Sequence, residues 1–250
     1  MAMNFVRPEH TLIAEVLASM DAQWLLDNHC FFAGGTAIVL ANGEYRRSLD
    51  VDFLCDDVDG YRTLRTAAIG RGAPAFFRIE VETLRAFRAD QYGIRAVIGW
   101  KGQPVRFEIV REARIPLGGS PNAMLRVPVL DLHDQFAEKL LANADRCLDP
   151  AFAYRDAIDL GRLCMANGGR IPDAAVEKAT RAYGTEIPRK VASVVGILAE
   201  EKELRRAAAV LLMDFDVARR AVSAFRHAAA AAWPDLELAD VHPTAIPRDP

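Results

Sequence analysis

The chain has 250 residues, of which 51% are hydrophobic and 26% charged, and its formal net charge is −3. This is the make-up of a soluble globular protein long enough for one large domain or two smaller ones. The slightly acidic balance excludes a general nucleic-acid coat, which needs a strong positive excess, but leaves room for a local basic groove.

In chain order, residues 10–28 carry helical periodicity, with Leu12, Val16, Met20 and Trp24 spaced four apart. Cys30 to Ala33 is a short apolar run that ends in Gly34-Gly35. Thr36 then caps a helix that Asn42-Gly43 stops. After a loop holding Arg46, Arg47 and Ser48, Leu49 to Cys55 reads as a strand, followed by an acidic turn. A helix over 61–69 precedes three strand candidates at Phe76–Thr83, Gly93–Trp100 and Val105–Val110. The last two form a hairpin, because Ile94, Ala96 and Ile98 alternate, as do Val105, Phe107 and Ile109, around a Lys101-Gly102-Gln103 turn.

A linker-like stretch, Pro116–Pro128, contains Gly118-Gly119. Beyond it the character is helical, over 130–147, 151–167, 173–183, 188–213 and 214–232. The expected organisation is an α/β (α+β) part at 1–115, a helical bundle at 128–232 and a Pro- and Asp-bearing tail at 233–250. Cys30, Cys55, Cys147 and Cys164 lack the clustering that zinc needs and read as buried or free thiols of a reducing cytoplasm. No signal peptide or membrane-spanning run is legible, so a cytoplasmic protein is expected.

Asp50-Val51-Asp52 is the first chemical feature. Residues two apart on a strand point the same way, so two carboxylates there can share a hard cation such as Mg²⁺. A bare D-x-D also fits a polar strand edge. Gly34-Gly35-Thr36 stands upstream between an apolar run and a helix, where backbone N–H groups can approach phosphate; it also fits a plain strand-to-helix turn. Between them, Arg46 can pair with phosphate or with an acid, and Ser48 can bond phosphate or cap its own loop.

Taken together, the run FFAGGTAIVLANGEYRRSLDVDFLC resembles the nucleotidyltransferase superfamily signature. Gly34-Gly35-Thr36 with Arg46-x-Ser48-x-Asp50-x-Asp52 is similar to the AbiEii/AbiGii toxin branch. The resemblance implies a nucleotidyltransferase-fold mixed sheet and a third carboxylate on a later strand. Glu108 fits best, since it faces away from Phe107 and Ile109; the family often has Asp here. Glu80 and Glu82 are runners-up, and pairing with Arg106 is the structural alternative for Glu108. In the helical half, Lys139 and the run Arg155-Asp156-Ala157-Ile158-Asp159-Leu160 are similar to a second family pattern. There Lys139 would hold triphosphate and Asp156 and Asp159 would orient it, or the three would form an interhelical salt bridge.

The resemblance implies Mg²⁺ (or Mn²⁺) on Asp50, Asp52 and Glu108, with nucleoside monophosphate transferred from a triphosphate held by Gly34, Gly35, Thr36, Arg46 and Ser48. It further implies an acceptor such as RNA or tRNA, a cognate antitoxin and no membrane partner. Arg62, Arg65, Arg78, Arg85, Arg88 and Arg95 either line an RNA groove or form a solvated basic face. A small-molecule acceptor, as in antibiotic-modifying relatives, and a non-catalytic nucleotide- or partner-binding role are the competing readings.

Overall fold

A computed structural model describes residues 5–240 and divides the chain into two units between Gln135 and Phe136. The first unit is built on seven strands: β1 (Cys30–Phe32), β2 (Val51–Cys55), β3 (Glu82–Ala89), β4 (Gly93–Trp100), β5 (Gln103–Arg111), β6 (Gly119–Pro121) and β7 (Pro128–Leu130). They lie in the order β3-β4-β5-β2-β1-β7-β6. β2 runs parallel to β5 and β1 parallel to β7, and the other neighbours are antiparallel, so the sheet is mixed.

Alternation gives the sheet one apolar face. Phe53 of β2 and Phe107 of β5 pack with Phe32, Phe76, Phe77 and Phe87 at centroid separations of 5.2–6.3 Å, in mostly tilted geometry. Against that face lie α1 (Pro8–Ala18), through Ile13, Val16 and Leu17, and α4 (Val58–Arg71), through Tyr61, Leu64 and Ala68. Asp57 caps α4 by accepting from the Gly60 N–H at 2.6 Å. The β4–β5 hairpin matches the sequence expectation, and its turn residues Lys101 and Gly102 both take positive φ, as a type I′ turn requires.

Four local expectations in the first unit are corrected. The single helix over 10–28 is two, α1 and α2 (Ala22–Asp27), because Asp21 leaves the helical path and caps the second by accepting from Trp24 N–H at 3.2 Å. The strand expected at Phe76–Thr83 begins only at Glu82, since Phe76 and Phe77 are spent in the core from a loop. Thr36 does not cap α3 (Gly34–Ala41); Ala33 holds that position and Thr36 is buried inside the helix. The stretch 116–128 is no linker: β6 and β7 form a hairpin that extends the sheet past β1.

The second unit is helical. α5 (Leu132–Arg146) runs through the division and leads to α6 (Arg155–Ala166), α7 (Asp173–Tyr183), α8 (Glu186–Ala199), α9 (Glu201–Val210) and α10 (Phe215–Ala232). The helix expected over 188–213 is broken at Glu200, whose extended backbone separates α8 from α9. Asp214 caps α10 through Val217 N–H at 2.9 Å. α6 and α10 pack backbone to backbone at Gly161, where a Cβ would stand 2.0 Å from the Ala221 carbonyl oxygen. Among the described residues no helix is long and apolar enough to cross a membrane. The tail beyond residue 240 lies outside the described residues.

Candidate active site

The acids of the first unit are positioned by strand register. Asp52 lies on β2 between buried Val51 and Phe53, so its side chain is on the face opposite the aromatic core. In the parallel β2–β5 pair its partner is Glu108, between Phe107 and Ile109. Neighbouring strands are about 4.8 Å apart, so two carboxylates at paired positions share one patch of the outer face. Asp50 falls just before β2 rather than on it, so strand alternation does not govern where it points. Glu108 is bound across the hairpin by Arg95, Nε to Oε1 at 2.6 Å, and not by Arg106. Glu80 and Glu82 belong to the segment leading into and opening β3, which pairs with β4 and never with β2.

The turn from β1 into α3 is shaped to meet Asp52. Ala33 N–H donates to the Asp52 carbonyl at 2.9 Å, which ties the turn to β2. Gly34 has φ of +72°, and a Cβ there would stand 2.9 Å from Asp52 Oδ2. A Cβ on Gly35 would stand 2.2 Å from a terminal nitrogen of Arg46. Gly34 is therefore required by its left-handed backbone and the Asp52 carboxylate against it, whereas a side chain at Gly35 would have to displace the end of the Arg46 guanidinium. The start of α3 also carries the unsatisfied N–H groups and partial positive charge of a helix N-terminus.

Arg46 is buried at 3% exposure and lies 5.9 Å from the centre of the Tyr45 ring. Ser48 bonds Thr36, hydroxyl to hydroxyl, at 2.9 Å. Behind this loop stands a residue the sequence reading missed. His10 of α1 is fully buried, accepts from Ser48 N–H through Nε2 at 3.4 Å and meets Glu44 through Nδ1 at 2.9 Å. Burial lowers the His10 pKa despite the opposing pull of Glu44. Glu44 in turn accepts the N–H groups of Val6 and Arg7, which with His10 hold its carboxyl below the usual range against the upward push of burial. A single histidine among apolar helix positions carries no sequence signal for this role.

Lys139, Asp156 and Asp159 form their own cluster in the second unit. The Lys139 ammonium lies 2.9 Å from Asp156 Oδ1 and 2.7 Å from Asp159 Oδ2, and all three residues are 5% exposed or less. Arg146 grips Asp156 with two bonds, 2.7 Å from Nε and 2.9 Å from Nη2. Burial pushes the Asp156 carboxyl up, but Lys139 and Arg146 outweigh it and hold it well below the usual carboxylate range. Arg146 was not singled out in the sequence, although its place seven residues after Lys139, two helical turns, puts both on one face of α5.

Of the six arginines expected to line a groove or form a basic face, Arg62 and Arg65 lie on α4, Arg62 pairing with Asp59, Arg78 pairs with Asp21, and Arg85, Arg88 and Arg95 lie on β3 and β4. Among the described residues no three His, Cys, Asp or Glu side chains are grouped as a preformed metal site.

Likeness to known proteins bears on the family and the fold. The family model described as nucleotidyl transferase AbiEii toxin, type IV TA system, matches residues 16–232. Among solved structures, the chain is similar to a candidate nucleotidyltransferase from H. pylori, at 16% identity over 89% of this chain and 94% of that one, with a TM-score of 0.51. It is also similar to JHP933 from Helicobacter pylori, at 15% identity over 92% of this chain and 95% of that one, with a TM-score of 0.50. At these identities the likeness speaks for the fold alone. No curated protein matches the sequence.

Proposed function

The chain belongs to the AbiEii family of nucleotidyl transferase toxins of type IV toxin–antitoxin systems, and from that premise we propose that it transfers a nucleoside monophosphate from a nucleoside triphosphate to a hydroxyl of RNA, tRNA included. The observation that carries the reading is the register of Asp52 with Glu108, beside a glycine turn built against Asp52. A cognate antitoxin and a cytoplasmic site of action follow from the same family reading.

Asp50 and Asp52 would hold Mg²⁺ or Mn²⁺, and Glu108 would either complete a second metal site or activate the acceptor hydroxyl. The donor set fits, since it is all carboxylate oxygen, and Mg²⁺ binds through one or two carboxylates with water and substrate phosphate completing its shell. When bound, the cation would offset the charge of the phosphates and of the attacking and leaving oxygens. Gly34, Gly35 and the start of α3 present N–H groups to the β- and γ-phosphates. Ser48, fixed by Thr36 and His10, and Arg46 complete the phosphate side. Glu108 takes the proton from the acceptor hydroxyl as its oxygen bonds the α-phosphorus. The bond from that phosphorus to the α–β bridging oxygen breaks, and pyrophosphate leaves.

For Lys139, Asp156 and Asp159, burial and mutual pairing favour the structural reading, a charged lock between α5 and α6, over direct contact with triphosphate. The test of the whole is incubation with Mg²⁺, each α-³²P-labelled nucleoside triphosphate and total bacterial RNA, beside an Asp50→Asn/Asp52→Asn protein. RNA labelled by the intact protein only is the expected result. Label that persists in the double variant, or that enters a small molecule and never RNA, sinks it.

A further inference from the structure

We propose that the outer face of β3, β4 and β5 is the surface that holds the acceptor RNA, through arginines that grip its phosphodiester backbone. The inference rests on the nucleotidyl-transfer reading above and names the place and chemistry of acceptor binding.

Register puts the relevant side chains on one face. Asp52 pairs with Glu108, Glu108 with Arg95, and Arg95 with Arg88, so one row crosses four strands from the acids to the sheet edge. The neighbouring row contains Arg106, Val97 and Arg85. At about 4.8 Å per strand, Arg88 stands roughly 14 Å from Asp52. Irregular pairing of β3 between Thr83 and Arg88 is what returns both Arg85 and Arg88 to this face.

Charge and pairing select the occupant. These three strands carry five arginines and only two acids, Glu82 and Glu108. The side chains of Arg85, Arg88 and Arg106 are exposed and make no ion pair or hydrogen bond among the described residues, whereas those of Arg62 and Arg78 elsewhere in the unit are paired with aspartates. Arginine at an edge strand also blocks strand-to-strand association, which alone would explain one or two such residues. It does not explain a second row reaching inward to Arg106, on the central strand that carries Glu108. A polyanion laid across these rows meets cationic side chains along its length and ends at the acids. Its phosphates would exchange condensed counterions for guanidinium groups, which present paired donors to phosphate.

The experiment uses the full chain and a 5′-fluorescein-labelled 20-nucleotide RNA of mixed sequence, without nucleoside triphosphate, titrated by anisotropy between 50 and 200 mM salt. The intact protein should bind with a marked salt dependence. An Arg85→Gln/Arg88→Gln/Arg106→Gln variant should bind at least about tenfold more weakly, and the slope of log K against log salt should fall by about 2, near 0.7 per lost contact. The matching Arg→Lys variant should recover most of the affinity. Unchanged binding and slope in the Gln variant overturn the proposal, as does an intact protein that binds no RNA. Calorimetric titration of the same variants with Mg²⁺ and a non-hydrolysable triphosphate separates the two readings. That binding should survive in the Gln variant and be lost in Asp52→Asn. Its presence in Asp52→Asn would strike at the transfer reading, not at the surface.

Discussion

The molecule holds two sets of paired acids whose surroundings are opposite. Asp52 and Glu108 sit on neighbouring strands of the first unit, on the face away from its aromatic core, and Glu108 shares its charge with an exposed arginine. Asp156 and Asp159 sit on a helix of the second unit, buried, with a lysine between them and a two-pronged arginine on one. D-x-D and D-x-x-D look alike as strings. Strand alternation beside a fully buried Phe53 turns Asp52 of the first outward, while helical spacing among Ala157, Ile158 and Leu160 turns both acids of the second inward. An acid at the surface can exchange one partner for another at little cost. A buried acid cannot, because removing its partner strands a charge in a poorly solvating interior.

That contrast breaks most visibly at Lys139. Lys139→Ala should cost about 3–5 kcal/mol in urea unfolding, the scale of a buried charge left without its partner. Because Asp156 is held below the usual carboxylate range, its contribution is fully present above about pH 4 and fades only as pH falls further. A Lys139→Ala protein as stable as the parent but unable to bind triphosphate would reverse the assignment of that cluster. Asp52→Asn should do the opposite. It should lower transfer by at least about 100-fold, or about 2.7 kcal/mol, and leave the urea midpoint nearly unmoved.

Gly34→Ala joins the two kinds of effect. Forcing an L side chain to a φ of +72° costs about 1–2 kcal/mol, and the new Cβ displaces the Asp52 carboxylate, so stability and activity should fall together. A variant with full activity would show that the glycine turn does not set the position of Asp52. The smallest effect is expected at His10. Its folded pKa is below 6.5, so the unfolded chain takes up the proton first. The stability it contributes is present above about pH 6.5 and lost as pH falls through that value toward the folded one. The melting temperature of the parent should drop between pH 7 and pH 5 by more than that of His10→Gln. Parallel curves would mean that no proton is excluded there, with Glu44, Arg7 and Glu9 the remaining charges near the ring.

What was legible in the sequence was local. The β4–β5 hairpin announced itself through alternation and a lysine–glycine turn, and the glycine–acid run through spacing within two dozen residues. β6 and β7 were not legible, because three-residue strands made of Gly119-Ser120-Pro121 and Pro128-Val129-Leu130 show no alternation. β3 was misplaced because this edge strand is mostly exposed and sends only Phe87 and Ala89 toward the core, too few for an apolar pattern, while the conspicuous Phe76-Phe77 pair serves the core from a loop. The outward face of Glu108 was readable from its flanking apolar residues. Its partner was not, since Arg106 is near in sequence while Arg95 is near across the hairpin.

The hairpin at 119–130 has a consequence for how the chain acquires its structure. β1 is complete by residue 32, yet the strand on its far side is β7, which begins at residue 128. Parallel pairing over so long a separation closes late, since the loop entropy must be met before the contact repays it. A nascent chain therefore displays the wholly apolar Cys30–Phe32 edge through nearly a hundred further residues of synthesis. A fragment cut at residue 115 keeps that edge open permanently, and is expected to associate edge to edge where the longer chain stays dispersed.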